Sequence, residues 1–411
     1  MTAHALPKIG FIGSMNAMPM AYALKFKRDG YDVRYVVEAP AHDHLMRPEF
    51  HFAADVSYPY PDWIVEIPWG NDLVRHATAP WSNRAGIAAM SDRDIVFLND
   101  ASIALAPALP KSTLCVALSS GSDIDLFGRW SMAFTLASRI RRKYLYPVRL
   151  ALESLRVLWQ RRGLQRCGGI SYFPRGLNPA GDEVVDEFRR ARRRPFLVER
   201  FDVNFKSAGV PRLSLPQRPL TKILVPVRFN MNPPAGGQFE YKGNDIILRG
   251  LAVYARERPS IEIHLVAKGP PEDLAEARRM CHELGIEANV VWHQPMPLPE
   301  LFELFAASDV VFDQVGHHWM GAIGCYALYM GRPLIANARL DIFGRLWGAE
   351  TPILQATTEA EIVRHLRRCE DQMERQRIAD AGQVFAEKHL DTEAVYLKLR
   401  DAALDAWARR S

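Results

Sequence analysis

One stretch constrains this chain more than any other. Ser308 to Asn337, SDVVFDQVGHHWMGAIGCYALYMGRPLIAN, reads as strand, loop, helix, turn and strand. Val310–Val311–Phe312 is a short apolar run of the kind a buried parallel strand needs. The loop from Asp313 to Gly321 carries two glycines, two histidines and a tryptophan. Residues Ala322 to Met330 have helical composition, and Gly331-Arg332-Pro333 is a helix stop. Leu334–Ile335–Ala336 then resumes the sheet. Polar and aromatic groups at the C-terminal end of a parallel strand, beside a helix N-terminus, are where open α/β sheets hold ligands.

The same rhythm precedes it. Lys222–Val227, Ile261–Val266 and Val290–Trp292 read as strands, and 242–257, 271–284 and 298–307 as helices between them. Strands alternating with helices of ten to fifteen residues predict a parallel sheet. Upstream, Pro211 to Thr221 (PRLSLPQRPLT) has the composition of a domain linker. The chain opens with a second βα pattern: strand Ile9–Ile12, loop Gly13 to Asn16, helix Met18–Arg28, stop at Gly30 and strand Val33–Val37. G-x-G-x-x-G is missing there, so no dinucleotide cofactor is expected, although backbone amides at the helix start can face an anion or a sugar. Asp94–Leu98 and Leu114–Leu118 are further buried-strand runs, whereas 40–92, rich in Pro, His, Trp and Tyr, has no order that the pattern alone assigns. A last amphipathic helix spans Val395 to Trp407.

With 411 residues, 48% hydrophobic and 24% charged, the composition is globular and the length suits two domains. No run of eighteen apolar residues predicts a membrane-spanning helix. Met1 leads almost directly into the first strand without a signal-peptide pattern, and the five cysteines lack metal spacing, so a cytoplasmic, reducing compartment is expected. The net charge of +5 is mild but unevenly placed. Between 139 and 166, Arg139, Arg141, Arg142, Lys143, Arg149, Arg156, Arg161, Arg162 and Arg166 face a single acid, Glu153, with apolar residues at helical spacing. Such a helix either lies on the anionic inner face of a membrane or packs its apolar side on its own domain. No recognised nucleic-acid module accompanies the charge, so no nucleic-acid partner is expected.

The segment 308–337 resembles the donor site of GT-B glycosyltransferases, the large retaining family 4 above all. The family's turn reads roughly E-A-M-A-x-G-x-P, and Tyr326 to Pro333 stands in its place. A subset begins with D-Q and carries G-W-Y-G before the helix; here these are Asp313–Gln314 and His318–Trp319–Met320–Gly321. The family's two glutamates fall on His318 and Tyr326, and its N-terminal histidine on Ser120. The resemblance is strongest over 222–395. It implies a GT-B α/β fold: two Rossmann-like domains, about 1–215 and 222–392, with parallel sheets facing across a cleft and a C-terminal helix, 393–411, crossing back to the first.

It also implies a UDP- or GDP-linked sugar as co-substrate, no metal or other cofactor, and a glycan or lipid-linked hydroxyl as acceptor, as in bacterial surface polysaccharide or glycolipid synthesis. A departing nucleoside diphosphate gains negative charge, so fixed cations and N–H donors must stand beside it. Arg228 and Lys242 match the family's R…K-G pair; solvated surface cations are the alternative. Candidate donor contacts are Gly13, Lys268, Gln294, Met296, His318, Trp319, Met320, Gly321 and Tyr326. Gly321 opens a helix whose amides can face phosphate, Gln294 follows a strand where related folds hold the base, and Tyr326 either meets the ribose or packs the helix. On the acceptor side stand Asn16, Ser120 and Asp123, with Asp100 as base; Asp123 has helix capping as its alternative. Two other readings remain open: a GT-B scaffold that no longer transfers sugar, and a sugar-nucleotide epimerase.

Overall fold

The computed structural model describes the chain except residues 1–5, 39–45, 68, 70–71, 141, 191–194, 207–208, 232–240, 317–318, 348–350 and 411, and except the side chain of Asn16. It divides into two compact units, one of residues 1–208 with 392–411 and one of 209–391.

The first unit is built on a seven-stranded, wholly parallel sheet: β1 (Ile9–Ile12), β2 (Val33–Val37), β3 (Ile64–Glu66), β4 (Ile95–Asn99), β5 (Leu114–Leu118), β6 (Gly169–Tyr172) and β7 (Phe196–Glu199). Their order is β3-β2-β1-β4-β5-β6-β7, so the winding reverses between β1 and β4. Ile9 pairs with Val33 on one side and Ile95 on the other. Helices cover both faces, which is why β1, β4 and β5 bury every residue and read as continuous apolar runs. Phe11 stacks on Phe97 at 4.8 Å between ring centres, at the middle of the core. The final helix, Thr392–Ala408, belongs to this unit. Val395, Tyr396, Leu399 and Ala403 enter the core, and Glu393 takes Lys25 at 2.7 Å and Arg28 at 2.9 Å.

The basic segment is not one surface helix. It begins where the helix Trp130–Ser138 ends, and forms a short turn Lys143–Leu145 and the long helix Tyr146–Arg166. The long helix buries its one acid, because Glu153 sits between Arg149 and Arg156. Arg161 reaches the Gly128 carbonyl and Glu187, and Arg166 the carbonyls of Pro110 and Thr113. Much of the positive charge that the sequence displays is therefore spent inside the unit. Gly163 is obligatory on this face, since a Cβ there would stand 2.0 Å from the Ile103 carbonyl oxygen.

The second unit carries a six-stranded parallel sheet: β8 (Lys222–Val225), β9 (Glu262–Val266), β10 (Val290–His293), β11 (Val310–Phe312), β12 (Leu334–Ala336) and β13 (Leu354–Gln355), in the order β10-β9-β8-β11-β12-β13. Here the winding reverses between β8 and β11. β8 ends at Val225, one residue before Pro226 and two short of the expected Val227. The next helix begins at Asn244, not Lys242, because Gly243 adopts a left-handed conformation (φ 74°) at its start.

Candidate functional site

In the second unit, Asp313 stands at the end of β11, one of the two strands that flank the reversal. This residue closes β11 and is buried. Its Oδ2 accepts from the amides of Gly321 at 2.6 Å and Gly324 at 2.9 Å, and its Oδ1 accepts from the Gln314 amide at 2.7 Å. Burial pushes its pKa up, while these amides and the charge of Lys242 pull the other way. The carboxylate thus caps the helix Ala322–Tyr329 from the preceding strand, and Gly321 gives its N–H to Asp313. The amides of Ala322 and Ile323 have no acceptor among the described residues.

Lys242 is locked against the same loop. Its carbonyl accepts from Val315 and Gly316 amides, each at 3.1 Å. The two chain segments touch backbone to backbone: a Cβ on Gly243 would lie 2.7 Å from the Gly316 nitrogen, and one on Gly316 2.2 Å from the Tyr241 oxygen. Glycine is required at both positions for this approach. Gln314 and Asn337 hold the far side of the loop, through the Trp319 and Gly316 carbonyls respectively. The Lys242 backbone is thus fixed against the loop, and its charge acts on Asp313.

Other sequence candidates lie in loops at the same end of this parallel sheet. Arg228 follows β8 and is exposed. The next residue, Phe229, donates to the Lys268 carbonyl at 2.7 Å, which ties the loops after β8 and β9 together. Lys268 and Gln294 are exposed beyond the ends of β9 and β10, and Met296 is half-buried. Trp319 and Met320 are buried within the loop. Tyr326 packs its ring edge-on against Phe302 at 5.5 Å, and burial raises its pKa to about 12. His318 lies outside the described residues, as do Arg141 and 192–194 of the basic runs. Asn244, whose sequence position suggests a helix cap, is instead the first helical residue; it is buried, and its Oδ1 accepts from the Asn230 amide at 3.1 Å.

In the first unit, Asn99 is the organising residue. Its Oδ1 accepts from the Met15 amide at 2.9 Å, and its Nδ2 donates to the Leu118 carbonyl at 2.7 Å and the Ser120 hydroxyl at 3.4 Å. It thereby gathers the ends of β1, β4 and β5. Gly13 (φ 100°) comes so close that a Cβ would stand 2.3 Å from the Asn99 carbonyl. Asn16 follows in the turn Met15–Ala17, its side chain outside the description. Asp100 is buried and left-handed at φ 53°, an unusual conformation for a residue with a Cβ.

Asp123 takes three donors, the Ser119 hydroxyl at 2.6 Å and the amides of Ser120 and Gly121 at 3.1 and 2.8 Å. It fixes the turn after β5, and burial raises its pKa. The residue missed by sequence reading is Glu38. It directly follows β2, is buried, and accepts from Asn83 and from the Ser102 hydroxyl. With no cation among these contacts, burial first and Asp100 next carry its pKa to about 7. Glu38, Asp100, Asn99, Gly13 and Trp69 line one small recess. Glu38 carries no motif; its one sequence signal is an acid placed just beyond a buried strand.

No protein-family model and no curated protein sequence matches this chain. Solved structures do. Sucrose-phosphate synthase from Thermosynechococcus elongatus aligns with a TM-score of 0.61 over 98% of this chain and 100% of its own, at 13% identity. HepE of Anabaena, solved with UDP and glucose, gives 0.60 over 97% and 100%, at 14% identity. The chain has the GT-B fold. A putative UDP-N-acetylglucosamine 2-epimerase from Listeria monocytogenes also aligns, with a TM-score of 0.54 over 93% and 94%, at 13% identity. The GT-B match covers both units, including the N-terminal one, where the sequence resemblance is weakest.

Proposed function

We propose that the protein is a metal-independent glycosyltransferase, moving a sugar from a UDP- or GDP-linked donor to a hydroxyl of a glycan or lipid-linked acceptor. The observation that carries this reading is the Lys242 backbone fixed against the loop after Asp313, with its charge acting on Asp313, which itself takes the Gly321 amide at the start of the 322–329 helix. Lys242, Arg228 and the free amides of that turn supply positive potential where a diphosphate leaves. Transfer breaks the bond between the anomeric carbon and the phosphate oxygen and makes one to the acceptor oxygen. The acceptor's proton then needs a base. Asp100 takes that role, and Glu38, with a pKa near neutrality, is the neighbour through which the proton is held. Asp123 and Tyr326 serve the framework in this reading, because their contacts are those of a loop clamp and of packing.

Heating the purified protein with UDP, GDP, ADP and CMP at millimolar concentration tests it. One nucleotide raises the melting temperature, and Lys242→Ala removes the rise. No rise with any of the four overturns the donor reading. The likeness to a 2-epimerase favours one alternative, epimerisation of the nucleotide sugar. Incubation of the stabilising nucleotide's sugars without acceptor separates the two, since epimerisation needs no acceptor.

The acceptor's surroundings follow from what the basic segment leaves exposed. Trp130, Phe134, Tyr144 and Val148 are 45–72% exposed, and Arg139, Arg142 and Lys143 lie between them in sequence. Among the described residues no helix is long and apolar enough to cross a membrane. This corner suits shallow contact with an anionic bilayer. Sedimentation with phosphatidylglycerol vesicles, lost in Phe134→Ser with Val148→Ser, is the expected result.

A further inference from the structure

The second unit holds a cavity that none of the donor candidates lines. It opens beside β13, between the helices Glu359–Arg368 and Gln372–Phe385, and has a volume of about 920 Å3. That volume is ample for a phosphorylated sugar or nucleoside. Its floor is apolar, from Ile353, Ile378 and Phe385.

Its charge is unbalanced. Four arginine and lysine side chains reach its wall, Arg364, Arg368, Arg377 and Lys388, against two acids, Glu361 and Asp380. Both acids are already engaged. Glu361 accepts from the Thr357 amide at 2.8 Å and closes the capping box with Thr358, and Asp380 accepts from Gln376 at 2.7 Å. Arg368 and Arg377 share Glu374. Arg364 and Lys388, both exposed, have no acid within ion-pair distance among the described residues. Two exposed cations on one cavity wall would ordinarily be solvated.

The decisive group lies deeper. His365 is 9% exposed, and its Nε2 donates to the Gln355 carbonyl at 2.8 Å. That bond leaves Nδ1 as an acceptor, buried and without a partner among the described residues. The Thr351 hydroxyl is in the same condition on the same wall. A buried polar atom without a partner calls for an explanation, and a ligand on this wall supplies one for both. An imidazole acceptor and a hydroxyl beneath two uncommitted cations match a molecule carrying both a phosphate and hydroxyl groups.

We infer that this cavity is a second ligand site, taking a soluble sugar phosphate or nucleoside phosphate, with Arg364 and Lys388 on the phosphate and His365 and Thr351 on the hydroxyls. It does not rest on the transferase reading. The same phosphate chemistry can come from a lipid headgroup, which the experiment separates.

Full-length protein carrying Lys242→Ala, so that the donor group is disabled, is titrated calorimetrically with glucose 1-phosphate, with AMP, with inorganic phosphate and with phosphatidic-acid vesicles. The expected result is saturable binding of glucose 1-phosphate or AMP at least tenfold tighter than inorganic phosphate. Arg364→Ala with Lys388→Ala, both surface changes that leave folding intact, weakens it at least tenfold. His365→Asn weakens the phosphorylated ligand more than it weakens inorganic phosphate. No binding to the Lys242→Ala protein, binding equal to that of inorganic phosphate, or affinity unmoved by the double variant overturns the inference. Binding of the vesicles alone, lost in the double variant, overturns the soluble ligand in favour of a lipid phosphate. Loss of the nucleotide-induced melting shift at the donor group leaves this titration unaffected, so the two readings fail separately.

Discussion

The two sheets end in opposite chemistry at their points of reversal. In the second unit the buried acid, Asp313, meets three backbone amides and the charge of Lys242. In the first, Glu38 meets an amide side chain and a hydroxyl, and its nearest charge is another carboxyl, Asp100. Burial raises the pKa of both acids, but at Asp313 the amides and Lys242 oppose the rise, whereas at Glu38 a second carboxyl adds to it. A backbone amide is a fixed donor that favours the ionised acid, whereas burial beside a like charge favours the neutral one.

The harshest way to break this contrast is Asp313→Ala. It leaves three amides without an acceptor, two buried and one partly buried, at about 1 kcal/mol each, so a loss of about 3 kcal/mol in unfolding free energy is expected. Asp313→Asn keeps an acceptor and should lose less than half as much. Equal losses in urea unfolding would show that the cap is not what orders the 313–321 loop.

Lys242→Ala sharpens the same side. The carbonyl that holds Val315 and Gly316 belongs to its backbone and is kept in this variant. The expected effect is a fall of about 100-fold in transfer rate, the usual size for one fixed charge at a leaving group. A matching fall in melting temperature without nucleotide would recast Lys242 as structural.

These two residues also mark what the sequence disclosed and what it hid. Strands such as Leu114–Leu118 were legible because both faces of a parallel sheet are covered, so every residue is apolar. Lys242 was legible from its place before Gly243. Glu38 was not, because an acid after a strand is common and its partners, Asn83 and Ser102, come from distant segments. The helix Tyr146–Arg166 misled for a related reason. A run of arginines reads as a solvated face, but Arg149 and Arg156 lie four before and three after Glu153, and together they bury it. Its Gln160 supports the carbonyls of Asp100 and Asp123 from below, which no period in the sequence announces. Asp313 stood in the quoted motif, yet its role as cap depends on Gly321 and Gly324 folding back to it.

Glu38→Gln tests the first unit. A carboxyl raised from 4.5 to about 7 by folding binds its proton more tightly in the native state. The stability it contributes is complete below about pH 4.5 and is lost as pH rises through about 7. Wild-type protein should lose roughly 1 kcal/mol per pH unit within that window from this group, and the glutamine variant should be flat there by comparison. Identical pH profiles would remove Glu38 as a proton holder.

The smallest expected effect concerns the last helix. Glu393 binds Arg28 and Lys25, and the Arg28 hydrogen bond leads the causes that bring its pKa down to about 2. The sign is opposite to that of Glu38: this contribution is present above about pH 4.5 and disappears as pH falls toward 2. The side chain is 39% exposed, so solvent and salt screen the pair, and Glu393→Gln should cost at most about 1 kcal/mol at pH 7 and nothing at pH 2. Because Val395, Tyr396 and Leu399 dock the helix through apolar contact, it should stay folded on its unit in the variant. Hydrogen exchange of the 392–408 amides checks this. Protection lost together with the ion pair would mean that charge, and not burial, holds the chain's end in place.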